Sequence, residues 1–256
     1  MWTRRGTARE RERPCILDIR NRILMVFIWL RNYPCSSVLS AMFMVNEDSI
    51  NKDVHMITNI LWYNFHQNVS WPNNDQWRMK MNSLEWFPGC VGFIDGTRHE
   101  IYIPAVEPHR LFYSGHCCFH NFSTQIIIDV DGNICYIQSG FLGHNNDAGQ
   151  LLMMPDIGNG MPLNLPLGAY IIGDGGYPNR YPVLTAFRRQ NELNEEQELF
   201  NYRLRAARVQ VEHKIRRMKE YRAVASIWRH PRWFFPIVAE LTAFLAQRHI
   251  MLSRIR

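Results

Sequence analysis

The sequence predicts an α/β protein, with strands interleaved with helices and a small all-helical region ahead of them. Three observations carry this. Apolar residues first recur every three or four positions, as in Ile50, Val54, Ile57 and Leu61, the period of a buried helix face. Past Pro88-Gly89 the pattern changes to short apolar runs rich in β-branched residues, the mark of strands. A long charged stretch, from about Glu195 to Tyr221, then reads as a helix again.

Taken in order, Met1 to Pro14 is Arg-rich and polar and is expected to be a basic flexible tail. Leu17 to Tyr33 is apolar at most positions and reads as a well-buried helix, which Pro34 interrupts. Ser36 or Ser37 can cap a short helix from Val38 to Phe43, and Asp48 is the expected cap of a longer one, about Ser49 to His66. Helix, short turn, longer helix is the helix-turn-helix pattern, expected over residues 15–70. Its second helix would offer Asp48, Ser49, Asn51, Lys52 and His55, of which Ser49, Asn51 and Lys52 are the candidate DNA contacts. Short helix pairs also fill ordinary all-α cores, so the pattern alone does not establish DNA binding.

Residues 71–88 read as a linker, bounded by Trp71-Pro72 and Pro88-Gly89, and residues 89–256 as the α/β domain. Val91 to Ile94 is a short strand ending at Asp95-Gly96-Thr97. Thr124–Val130 and Ile134–Ser139 flank Asp131-Gly132-Asn133, a hairpin turn, because Gly and Asn accept positive φ cheaply. Gly143 to Asp147 is a polar loop that leads into a helix from Ala148 to Met154. Ala169 to Ile172 is a short buried strand ending at Gly173-Asp174-Gly175-Gly176-Tyr177. After the charged helix, Trp233 to Leu252 is an apolar helix interrupted at Pro236.

Hydrophobic residues at 46% exclude disorder as the main state. The longest apolar run near the start, Ile23 to Leu30, is eight residues, far short of the ~20 of a membrane span. Six cysteines with no CxxC spacing do not make a disulfide framework, and a reducing, intracellular compartment is expected. The net charge of +6 is unevenly spread: residues 1–31 carry +5, residues 180–256 carry +9 and the middle carries −8. Basic ends around an acidic centre suit a protein that grips a polyanion and keeps carboxylates for another task, such as holding metal.

Three acids stand out in this order. Asp95 is expected at the end of the first strand, Asp174 at the end of a later one, and Glu212 inside the long basic helix. An aspartate at a strand's carboxyl end points into the crevice where α/β sheets place ligands. If the two strands are neighbours, their tips converge, and a helix across that edge can add a glutamate. Two like charges 4 Å apart repel by roughly 4 kcal/mol at an effective dielectric of 20, so such a cluster is tolerated when divalent cations neutralise it. Each acid also has a plain alternative. Asp95 and Asp174 suit glycine turns, Asp147 suits a helix N-cap, and Glu212 can pair with Arg208 or Arg216 at i,i±4. Arg208, Glu212, Arg216 and Lys219 line one helix face, and Arg205 and Lys214 extend its basic surface. Cations there can face a phosphate backbone while the glutamate faces a metal.

These segments resemble the DDE endonuclease domain of PIF/Harbinger-type transposases and the nucleases derived from them. The resemblance lies in Val91-Gly92-Phe93-Ile94-Asp95-Gly96-Thr97, Gly143-His144-Asn145-Asn146-Asp147, Ile172-Gly173-Asp174-Gly175-Gly176-Tyr177, and Phe200-Asn201 leading to Arg208-Val209-Gln210-Val211-Glu212. It spans about residues 88–250. It implies an RNase H-like mixed sheet with flanking helices, and Asp95, Asp174 and Glu212 as a catalytic, metal-binding triad. Asp147 matches a further acidic position sometimes counted with the metal ligands. Arg208, Glu212 and Lys219 fit the Tyr, Arg, Glu, Lys signature of related bacterial transposases, with Arg205 at the tyrosine position and Tyr202 three residues earlier. The implied DNA contacts here are Arg205, Arg208, Arg216 and Lys219. The implied cofactor is Mg²⁺ or Mn²⁺, as two ions. The resemblance also implies a Myb-like accessory protein and a nuclear location, beside which a cytoplasmic pool and a homo-oligomer stay open.

The expected activity is therefore metal-dependent hydrolysis, and in a transposase transfer, of DNA phosphodiester bonds. The main rival is a domesticated, catalytically idle DNA-binding or scaffold protein that keeps the fold. A more distant one is a phosphoesterase of small substrates, which the basic ends disfavour. His116-Cys117-Cys118-x-His120 matches no usual zinc spacing, and neither a Walker-type loop nor a GxSxG elbow occurs.

Overall fold

The architecture is set by β1 (Cys90–Glu100), which pairs with strands on both sides. On one side it runs antiparallel to β3 (Phe119–Asp129), which pairs in turn with β4 (Ile134–Leu142) and, near its start, with β2 (Tyr113–Ser114). On the other side it runs parallel to β5 (Tyr170–Ile172), which is parallel to β6 (Val183–Leu184). The result is a mixed six-stranded sheet with helices on both faces. The computed structural model describes residues 17–105, 108–154, 163–188 and 192–253, with side chains as far as 248; the expected tail, Met1 to Pro14, lies outside them.

The β3–β4 hairpin forms where expected, with Gly132 at φ 83° in its turn. Phe93, Ile126, Ile128 and Ile172 face one core, Ile94, Ile127 and Ile171 the other. This alternation follows from the period of two along each strand. The first core is closed by α6 (Glu195–Met218), α7 (Arg222–Ala225) and α8 (Phe235–Ser253), and α1 (Ile19–Asn32) and α3 (Glu47–His66) pack into the same core. The second is closed by α4 (Asn74–Lys80) and α5 (Asp147–Leu152) through Trp77 and Leu151.

Several expectations are corrected. The first strand does not stop before Asp95: it runs on to Glu100, because β3 pairs with it as far as Glu100↔Asn121. The stretch 71–88 contains α4, held by a capping box between Asn73 and Gln76. Asn46, not Asp48, caps α3, accepting from the Ser49 amide at 2.8 Å. α2 (Ser36–Phe43) starts on Ser36 with Cys35 as its cap residue. Pro236 does not interrupt the last helix but lies in its first turn, where a missing N–H costs nothing. The charged helix ends at Met218 rather than Tyr221.

Candidate active site

The register of the two parallel strands places the first two acids. Phe93 is paired with Ile172, the last residue of β5. Asp95 and Asp174 each lie two residues beyond that pair. Where β5 ends, β1 continues, so the flank of Asp95 that a parallel strand would cover is left to the Gly173–Tyr177 turn. Asp95 is thus in the middle of its strand and still at the open end of the parallel pairing. Two short approaches fix the surroundings. A Cβ on Gly96 would lie 2.6 Å from Asp147 Oδ1, and one on Gly176 would lie 2.6 Å from Asp147 Oδ2 and 3.0 Å from Asp174 Oδ1. The absence of a side chain at both positions lets backbone and carboxylates come this close, and a Cβ there would push the carboxylates aside.

Asp147 is available because it does not cap its helix. Asn146 does that, accepting from the Gly149 amide at 2.7 Å, and Asp147 is the first residue of α5. The capping alternative for Asp147 is therefore overturned. Asp95 shares a strand face with Phe93 and looks toward α6. There its Oδ2 is 3.3 Å from Arg208 Nη2, and Arg208 Nη1 is 3.9 Å from Glu212 Oε1. Glu212 is 49% exposed along its side chain, while Asp95 is 14% exposed. Asp95, Gly96, Glu212, Arg216 and Lys219 line a groove of about 520 Å³.

Electrostatically, Asp174 is the acid that acts on both Asp95 and Asp147. Burial pushes the Asp95 carboxyl up to about 6; Arg208 opposes this, while Asp174 and Glu212 add to it. Burial also raises Asp147, with Asp174 adding repulsion and Arg98 relieving it. The Tyr177 phenol is held far above its ordinary value by burial and by the negative field of Asp147, Asp95 and Asp174. Its hydroxyl is buried with no hydrogen-bond partner. Tyr177 and Arg98 were not singled out from the sequence. Alternation along β1 could have found Arg98, which shares its face with Gly96 and so with Asp147.

A family model described as a DDE superfamily endonuclease matches residues 94–246. The chain belongs to the DDE superfamily endonucleases. The resemblance read from the motifs is borne out at that level. The chain is also 25% identical over 189 residues to "Protein ALP1-like" of Arabidopsis thaliana, covering 67% of this chain and 46% of that protein. It thus spans about half the length of that relative. No solved structure matches.

Endonucleases of this superfamily generally use divalent metals. The side chains here fit such an ion in chemistry: Asp95, Asp147, Asp174 and Glu212 supply only hard oxygen donors, as Mg²⁺ and Mn²⁺ require. Asp95 and Asp147 are raised chiefly by burial, with repulsion from Asp174 adding to each. Among the described residues, however, no three His, Cys, Asp or Glu side chains are arranged to hold an ion as they stand.

The endonuclease's expected DNA contacts are placed as follows. Arg205 and Arg216 are exposed on α6. Arg208 is engaged with Asp95, and Lys219 Nζ donates to the Arg98 carbonyl at 3.0 Å. In the helical pair, Ser49 and Lys52 are exposed, while Asn51 accepts from Ser36 Oγ at 2.8 Å. His55 packs edge-on against Phe234 with ring centroids 4.5 Å apart. Among the described residues no helix is long and apolar enough to cross a membrane.

Proposed function

We propose that this DDE superfamily endonuclease is a divalent-metal-dependent DNA nuclease, with Asp95, Asp174 and Glu212 as its catalytic carboxylates and Asp147 as a further ligand. The observation that supports this most is the register: Phe93 opposite Ile172 carries Asp95 and Asp174 to one level at the open end of the parallel pair, where Asp95 meets Arg208 of α6. Held by these carboxylates, divalent ions would supply a Lewis acid for the phosphate and a more acidic bound water.

The chain's own groups do the rest. Asp95 and Asp174 project from a strand and the turn beside it, so their spacing is fixed by backbone. Glu212 reaches in from α6 and keeps enough exposure to adjust. Tyr177 fills the space beneath the Gly173 turn, where a Cβ would lie 2.9 Å from its ring, and keeps water from that side. Arg216 and Lys219 stand along the groove, where their charge suits the phosphates of a duplex. Ser49 and Lys52 on α3 and Arg205 on α6 are proposed as further backbone contacts. A nuclear location, a Myb-like accessory protein and self-association are proposed on the family resemblance.

The ion pair between Arg208 and Asp95 favours a second reading, an idle DNA-binding protein in which an arginine has taken the metal's place. Nicking of supercoiled plasmid by the pure chain in Mg²⁺ or Mn²⁺ separates the two. The nuclease reading expects nicking that stops with chelator and in Asp174→Asn. Nicking retained in that variant would sink it.

A further inference from the structure

Arg208 is a largely buried cation on α6, set beside two of the acids that line the groove. Its side chain is only 12% exposed. One guanidinium nitrogen reaches across to Asp95 at 3.3 Å and the other lies 3.9 Å from Glu212, one turn along α6. Its third nitrogen, Nε, is buried without a hydrogen-bond partner. An exposed i,i+4 pair would need none of this: such pairs hold their charges in water and contribute little. Here a permanently charged group lies between two acids from different elements, with one donor left unsatisfied. The arrangement places a positive charge against both acids.

We propose that Arg208 is the resting counter-ion of the carboxylate centre, standing against Asp95 and Glu212, the carboxylates that would hold a divalent cation, so that metal entry and release of Arg208 would be one event. This rests on the nuclease reading above. Asp95 cannot satisfy both cations fully, so a metal gains it only as the guanidinium lets go. The freed guanidinium, with Nε already lacking a partner, then has a new acceptor available in a DNA phosphate lying along the groove. Metal and DNA would each favour the other's binding, as linkage requires. Arg208 is thus a positioning residue whose first acceptor is protein and whose second is substrate.

The test is Mn²⁺ binding to the full chain without DNA, followed by the loss of the free-ion electron paramagnetic resonance signal. Arg208→Gln removes the competing charge and is expected to bind Mn²⁺ about tenfold more tightly than wild type. Arg208→Lys, which keeps a cation, is expected to stay near wild type, and Asp95→Asn to bind poorly. Equal or weaker binding by Arg208→Gln would overturn the counter-ion role while leaving the nuclease reading intact. No binding by wild type, Arg208→Gln or Arg208→Lys would overturn both. A second readout needs no variant at position 208. Phenylglyoxal modification of Arg208 in wild type, mapped by mass spectrometry, is expected to speed up several-fold on adding Mn²⁺ and to show no such change in Asp174→Asn. A rate unchanged by Mn²⁺ in a protein that binds the ion would contradict the proposal.

Discussion

The open end of the β1–β5 pair and the α2–α3 helical pair both carry polar residues singled out for DNA work, and the fold treats them in opposite ways. At the sheet, candidates far apart in sequence are brought together: positions 95, 147 and 174 surround the backbone of Gly96 and Gly176. In the helical pair, candidates close in sequence are dispersed. Asn51 is committed to Ser36 and His55 to the aromatic cluster around Phe234, while Asp53 on the same helix is paired with Arg22. The difference teaches that a periodic pattern fixes where a helix lies but not which of its polar residues are left for a ligand. Strand register and glycine approach determine a site much more narrowly.

The largest effect expected is at the sheet. Asp174→Asn should reduce plasmid cleavage by about a thousandfold or more, with duplex binding measured by fluorescence anisotropy unchanged within about twofold. Loss of binding in parallel would mean that the acid is structural. Next is Gly96→Ala. Its Cβ would press on Asp147 Oδ1 at 2.6 Å, so chemical denaturation should show a loss of about 1–3 kcal/mol, accompanied by weaker cleavage.

Glu240 sharpens the comparison from between the two regions. It lies on α8 and accepts from Trp62 Nε1 of α3 at 2.8 Å and from the Ser139 amide of β4 at 3.2 Å. Burial pushes its carboxyl up to about 7 from an ordinary 4.5. A raised acid favours folding when protonated, so its contribution is full below pH 4.5 and is lost as pH rises to about 7. Wild type should lose on the order of 3 kcal/mol across that window, and Glu240→Gln should show a flatter profile in urea melts. Parallel profiles would show that the α3–α8–β4 junction does not depend on this proton.

The smallest effects concern the DNA surface. Arg216→Ala should lower the slope of log K against log salt by about 1. Lys52→Ala should weaken duplex binding by less than about threefold, because its neighbours on α3 are committed to internal contacts. A larger loss for Lys52→Ala than for Arg216→Ala would shift the main DNA surface to the helical pair.

Much of this was legible in the sequence, and the failures share a cause. The motif residues 95, 147, 174 and 212 were found from type, order and family resemblance. The hairpin at Gly132 and the helix of Glu212 followed from turn chemistry and periodicity. Asn146 and Asp147 are both good caps, and only the backbone decides which one bonds the Gly149 amide. That one-residue choice frees a carboxylate. The continuation of β1 through Thr97, Arg98 and His99 has no apolar signature, and pairing with β3 imposes it. α4 is seven residues and β6 is two, too short for a period to show. The contact between Arg208 and Asp95 joins a helix to a strand, so no local pattern announces it.

The most direct test of the carboxylate centre is to localise the ion on the chain. Fe²⁺ in place of Mg²⁺, with ascorbate and peroxide, cuts a polypeptide next to the bound ion. The account predicts fragments ending near residues 95, 147, 174 and 212, suppressed by excess Mg²⁺ and absent in Asp174→Asn. Cuts confined to another part of the chain, such as the histidines and cysteines at 109–120, would contradict it.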